Sequence, residues 1–117
     1  MTPKNLQYSD IWFIQCSPSI GHEYKGHRPA LIVQQKDLPH EKGLVSVIPM
    51  SSYKGKQWRD DILIQPDPMT NRLHVASLIK VQHIQSYDTT RFIRKIGRMD
   101  EKVMMEVKKY LSGHFGL

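Results

Sequence analysis

The chain has 117 residues, with 17 Lys+Arg against 11 Asp+Glu and a formal net charge of +6 at pH 7. That length suits a single domain over residues 1–117 with a core of its own, and 39% hydrophobic with 24% charged residues is a globular balance rather than a disordered one. One cysteine excludes an internal disulfide framework, and no apolar run approaches the ~20 residues of a membrane span or forms the core of a signal peptide, so a soluble, cytoplasmic protein is expected.

In chain order, 11–16 (IWFIQC) is aromatic and β-branched and reads as a strand entering a loop at Ser17-Pro18. Arg28-Pro29 then opens a short apolar run, 30–33, expected to be a buried strand with proline at its start. After a loop at 36–43, residues 44–48 form a third strand that Pro49 should stop, which leaves Ser51 just beyond a strand end. Residues 53–59 read as a polar, basic and mobile loop. Strands are expected at 61–65, 75–84 and 92–99, with a turn at 66–68. From Asp100 the period changes: Val103, Val107 and Leu111 recur every four residues, with Asp100 as cap and Gly113 as terminator, which predicts one amphipathic helix whose stripe packs on the sheet. Strands followed by one C-terminal helix imply a mainly β, α+β fold, a small curled sheet or barrel closed by the helix.

The six histidines, His22, His27, His40, His74, His83 and His114, form no helical ligand pair, and no second cysteine completes a tetrahedral set, so no metal site is expected. Phosphate-cradling glycine loops and the G-x-S-x-G elbow are missing as well. Cys16, in an apolar stretch, reads as a small buried hydrophobe. What remains is a set of basic, polar loops: His22, Glu23, Lys25, His27 and Arg28, then Ser51 and Ser52, then Lys54, Lys56 and Arg59. Converging, they would make a phosphate site, with arginine's planar fork holding oxygens and serine hydroxyls orienting them. Tyr24, Tyr53 and Trp58, interleaved with the cations, suit stacking on unpaired bases, and the net positive charge suits a polyanion. A plainer reading pairs Arg28 with Glu23 on the surface, makes Ser51 a turn residue and puts Trp12 and Phe13 in the core.

The segments SDIWFIQCSPSIGHEYKGHRPALIV, LVSVIPMSS and RFIRKIGRM, before a helix ending HFGL, resemble in that order the MazF/PemK family of toxin endoribonucleases. The most specific part is a loop with six fixed points: Pro18, Gly21, Glu23, Gly26, Arg28 and Pro29. The resemblance implies an SH3-like, CcdB-like barrel with a C-terminal helix. It also implies a homodimer, cofactor-free and metal-independent cleavage of single-stranded mRNA at short sequence sites, and arrest of translation and growth. The implied partners are RNA and an antitoxin whose acidic tail fills the RNA groove, the toxin dimers joining it in a heterohexamer. Carried over by position, Arg28 matches the catalytic arginine, Ser51 the catalytic Thr or Ser, and His27 a position where some members also have histidine. His22, Glu23, Lys25, Ser52, Lys54, Lys80, Gln82 and His83 are the candidate RNA contacts.

Two positions depart from the family pattern. Gln82 stands where some members have a basic aspartate, and Gln85 where they have an arginine, with Lys80 two residues before Gln82. An amide does not accept a proton at neutral pH, so the expected chemistry rests on Arg28 for the developing phosphorane charge, on Ser51 for orientation, and on a histidine as base. His27 is the first choice if its strand begins only at Arg28, because strand alternation otherwise turns the two side chains apart. The rival readings are a catalytically weakened RNA- or antitoxin-binding regulator, and a gyrase-directed toxin on the same fold. RNA specificity is expected to lie in the loops at 36–43 and 53–59.

Overall fold

In the computed structural model, which describes residues 5–16, 26–35 and 43–117, the elements follow in this order. Strands are β1 (Asp10–Gln15), β2 (His27–Ile32), β3 (Leu44–Ser52), β4 (Asp61–Ile64), β5 (Ser77–Lys80), β6 (Gln85–Asp88) and β7 (Phe92–Arg98). Short 3-10 turns at Val81–His83 and Thr89–Arg91 flank β6, and the helix α1 (Glu101–Phe115) ends the chain. All strand pairs are antiparallel, in the order β4-β5-β3-β2-β1-β7, with β6 beside the first half of β3.

Both faces of the central strands are apolar, and each face builds its own core. Ile11, Leu31, Ile48 and Met50 point to one side, where β4, β5 and Met104 and Val107 of α1 cover them. Trp12, Ile14, Ala30, Ile32, Val45, Val47 and Phe92 point to the other and cluster with Cys16, Tyr87 and Leu6. Apart from Leu6 and Cys16, that second core comes from the strands β1, β2, β3, β6 and β7 alone, so the sheet must curl for its face to cover itself. The expected barrel is therefore present as a mainly β, α+β fold whose curled sheet stays open: among the described residues β6 pairs with β3 and not with β7.

Three expectations need correction. Pro49 does not stop β3, which runs on to Ser52; the partner along one edge changes from β6 to β5 between Val47 and Met50, so the missing N–H falls where that ladder is interrupted anyway. The single strand expected over 75–84 is only β5 followed by a 3-10 turn, and β6 is an additional strand, too short and half-polar to stand out by alternation. Gly113 lies inside α1; Gly116, at φ 71°, supplies the left-handed cap, with its N–H on the Gly113 carbonyl and the Leu117 N–H on Ser112. Asp100 caps the N-terminus, its carboxylate accepting from the Val103 N–H at 2.9 Å. No described helix is long and apolar enough to cross a membrane.

Candidate functional site

Arg28 and Ser51 are brought together by register. Ala30 of β2 faces Pro49 of β3, and continuing that antiparallel register by two residues sets Arg28 opposite Ser51, both on the face of Trp12 and Ile14. The half-buried Arg28 donates from Nη1 to the Met50 carbonyl at 3.4 Å, so the guanidinium lies against the end of β3. Gly26, at φ 67°, makes the sharp entry into β2 and accepts the Cys16 N–H at 2.7 Å, a conformation that favours glycine. A second guanidinium joins from the 3-10 turn before β7: Arg91 donates to the Gln15 carbonyl at 3.1 Å and lies 5.9 Å from the Tyr87 ring centroid. Burial pushes the Cys16 thiol above its ordinary range, against the opposing pull of Tyr87, Arg28 and Arg91. Burial first, then Cys16, pushes Tyr87 up to about 12, and its hydroxyl takes the Gln85 amide at 2.6 Å. This corner thus presents two permanent cations and a serine beside a neutral thiol and a neutral phenol.

His27 lies elsewhere. β2 begins at His27, not at Arg28, and His27 pairs with Gln15, so alternation sends its imidazole to the face opposite Arg28. There the ring meets Phe13 edge-on at 5.7 Å. Phe13 itself is half-buried rather than in either core, with the Arg94 guanidinium 5.1 Å from its centroid, whereas Trp12 is buried as expected.

Lys80, Gln82 and His83 form a second group around two aspartates. Lys80 Nζ meets Asp61 Oδ2 at 2.7 Å, with the Asp61 side chain 3% and that of Lys80 13% exposed. The same Asp61 oxygen accepts the Trp58 N–H at 2.8 Å, while Gln57 donates to the Asp61 carbonyl, also at 2.8 Å. Rather than hanging free, the 53–60 loop is anchored at that end, and at the other by the Tyr53 N–H on the Ala76 carbonyl. Trp58 remains exposed with Lys56 above its ring, and Lys54 is exposed in the same loop. Gln82 donates to Asp60 at 3.3 Å. Partial burial, then the Lys80 charge, lowers the His83 pKa below 6.5, partly offset by Asp61. β5 links the two groups, because Leu78 pairs with Ser51 and Lys80 with Asp61. Ser52, the last residue of β3, pairs with Ser77.

His22, Glu23 and Lys25, with the Pro18, Gly21 and Tyr24 positions and the Arg28–Glu23 pairing, lie outside the described residues. Sequence reasoning missed Asp61, Arg91, Tyr87 and Arg94. Only Asp61 carried a signal, an acid opening an apolar strand, where burial requires a partner. Among the described residues no cluster of three His, Cys, Asp or Glu side chains could hold a metal ion.

Comparison with known proteins extends the description. The family model for the PemK-like, MazF-like toxin of type II toxin–antitoxin systems matches residues 7–115. Endoribonuclease MazF9 of Mycobacterium tuberculosis is 25% identical over 117 residues, covering 96% of this chain and 98% of the relative. The crystal structure of MazF from Deinococcus radiodurans superposes with a TM-score of 0.79 at 23% identity, over 96% of this chain and 97% of that one. An endoribonuclease from a mycobacterial species, solved in complex with its cognate antitoxin, superposes with a TM-score of 0.74 at 12% identity over 96% of each chain. With the match running from the residue before Tyr8 to Phe115 and the same curled sheet and helix in the solved relatives, the chain belongs to the PemK-like, MazF-like toxin family of type II toxin–antitoxin systems.

Proposed function

We propose that this toxin is a sequence-specific, metal-independent endoribonuclease that cuts single-stranded mRNA in the cytoplasm, works as a homodimer and is held inactive by an antitoxin. The observation that carries the reading is Arg28, near the start of β2, bonded to the Met50 carbonyl beside Ser51 at the end of β3, with Arg91 sharing the Cys16 corner. The name of the tuberculosis relative and the antitoxin complex of the mycobacterial one support it.

Such a cleavage needs no outside reactant. The RNA 2′-oxygen attacks the adjacent phosphorus, the bond from phosphorus to the 5′-oxygen breaks, and a 2′,3′-cyclic phosphate and a 5′-hydroxyl result. One proton leaves the 2′-hydroxyl for a base, and the departing 5′-oxygen takes one from solvent water. Arg28 stabilises the charge on the phosphorane, which develops fully only in the transition state, and Ser51 holds a non-bridging oxygen in place. The 2′-proton goes to a histidine. His83, whose pKa is lowered by burial, is the base in this reading, because His27 faces away from Arg28; His83→Ala should slow cleavage and His27→Ala should not.

The test is cleavage of a long single-stranded RNA in EDTA, with Arg28→Ala alongside and the 5′-ends mapped. Discrete cuts bearing 5′-hydroxyls, reduced at least about 100-fold in Arg28→Ala, are expected. A folded, antitoxin-free protein that binds RNA and cuts none would replace this reading with that of an RNA-binding regulator.

A further inference from the structure

On the face opposite Arg28, a cavity of about 430 Å³ opens between β7 and the segment leading into β5. Its size lies within the range of sites for small ligands. Phe13, Leu73 and Ile96 supply an apolar floor, and Ser51 and Ser52 at the end of β3 form one rim. Arg72, His74 and Arg94 bring positive or titratable nitrogen to the other side, and no carboxylate is among the described residues that line the cavity. Lys95 also borders it but is 3.3 Å from the buried Asp10, which neutralises it locally.

The wall is built rather than loose. Buried Asn71 donates to the Gln65 carbonyl at 2.9 Å and accepts the Asp67 and Leu73 N–H groups at 2.9 and 3.0 Å, clamping the turn before the cavity. Arg72 is held there at φ 55°, an unusual backbone for a residue with a side chain, sustained by that clamp. Phe13 is the centre of a cluster, with the His27 ring edge-on at 5.7 Å and the Arg94 guanidinium 5.1 Å from its centroid.

We propose that this cavity receives the unpaired nucleobase adjoining the scissile phosphate, stacked against Phe13 and Arg94, with Arg72 and His74 meeting its polar edge or the next phosphate. The proposal rests on the nuclease reading above. Two features select this occupant. An aromatic floor beside cations, with no carboxylate among the described lining residues, matches a neutral flat π-system joined to a negatively charged phosphate backbone. Ser51 belongs both to the Arg28 site and to this rim, so a strand with its phosphate at Arg28 reaches the cavity around the end of β3.

The experiment uses an RNA oligonucleotide spanning a mapped cut, with an abasic nucleotide placed at each flanking position in turn. Base stacking on an aromatic side chain implies that one abasic position raises the wild-type KM roughly 5- to 100-fold. Phe13→Ala should raise the KM for the intact oligonucleotide by a similar factor with kcat preserved, and should show no further loss at that abasic position, while Phe13→Trp restores the KM. Arg94→Ala repeats the comparison should Phe13→Ala fail to fold, as judged by its thermal melt. An unchanged KM, or losses that multiply instead of merging, overturns the proposal. So does a Phe13→Ala protein that sediments as monomer where the wild type is a dimer, since the face would then join two copies. So, too, does an unchanged KM with lost affinity for an acidic antitoxin peptide. A wild-type protein that cuts no RNA would instead overturn the nuclease reading itself.

Discussion

The Lys80–Asp61 pair allows a quantitative test of how the second group of site residues is held. At an effective dielectric of about 20, charges 2.7 Å apart attract by about 6 kcal/mol before desolvation is subtracted. Removing one partner of a buried pair costs about 3–5 kcal/mol, because the other charge is left without compensation. Asp61→Leu strands Lys80 and also removes the acceptor of the Trp58 N–H, so about 4 kcal/mol is expected. Lys80→Met leaves a carboxylate only 3% exposed with the Trp58 amide as its remaining donor, for about 3 kcal/mol. The double variant buries no charge and should lie within about 2 kcal/mol of the wild type. Urea unfolding of all four proteins at one pH and salt concentration, with equal denaturant slopes, should therefore give a coupling energy of at least about 2 kcal/mol. Additive losses, or single variants each costing under about 1 kcal/mol, would make the pair an ordinary surface contact and refute the reasoning.

Further outcomes follow from the same geometry. Arg28→Lys should lose about 100-fold in cleavage rate, nearly as much as Arg28→Ala, because an ammonium lacks the planar fork, whereas Ser51→Thr should keep most activity. Gly97→Ala would place a methyl 2.5 Å from the Thr70 carbonyl oxygen and closer still to that of Asn71. Since these are backbone atoms, a loss of about 2 kcal/mol or more is expected in thermal or urea unfolding, and a loss under about 0.5 kcal/mol would contradict it. His83 titrates lower folded than unfolded, so its contribution to stability is complete above pH 6.5 and declines as pH falls toward the folded pKa. His83→Gln should flatten the melting temperature in that acidic window, and an NMR titration should find the His83 midpoint below 6.5. Cys16, 3% exposed with its thiol pKa raised, should react with a thiol reagent only as fast as the protein unfolds. Rapid labelling of the native protein would contradict its place in the core.

Elements with a strong local signal were legible in the sequence, and those decided by a partner were not. β1, β4 and α1 announce themselves by apolar runs, by period and by the Asp100 cap, properties that hold whatever surrounds them. β3 extends through Pro49 because its neighbour changes there, β6 forms because β3 offers it an edge, and β2 starts at His27 because Gln15 pairs with it. The same difference separates the site residues. The order of loop and strand motifs marked Arg28 and Ser51, and the β2–β3 pairing, with the Arg28 bond to the Met50 carbonyl, brought them to one corner. The same pairing turned His27 to the other side.

By itself, then, the sequence determined the class of the fold and its family, and marked Arg28 and Ser51 as the candidates for phosphate chemistry. The fold class follows from residue type and spacing along one chain, and the family and the two candidates from the resemblance of its ordered motifs. Only the tertiary structure decided that Lys80 is bound to a buried Asp61, that Arg91 joins Arg28, and that Phe13 and Arg94 stack over a cavity opposite the reacting face. Each of these depends on which strand lies beside which and in what register. In a curled antiparallel sheet, residues far apart in sequence become neighbours, and a shift of one position exchanges the faces.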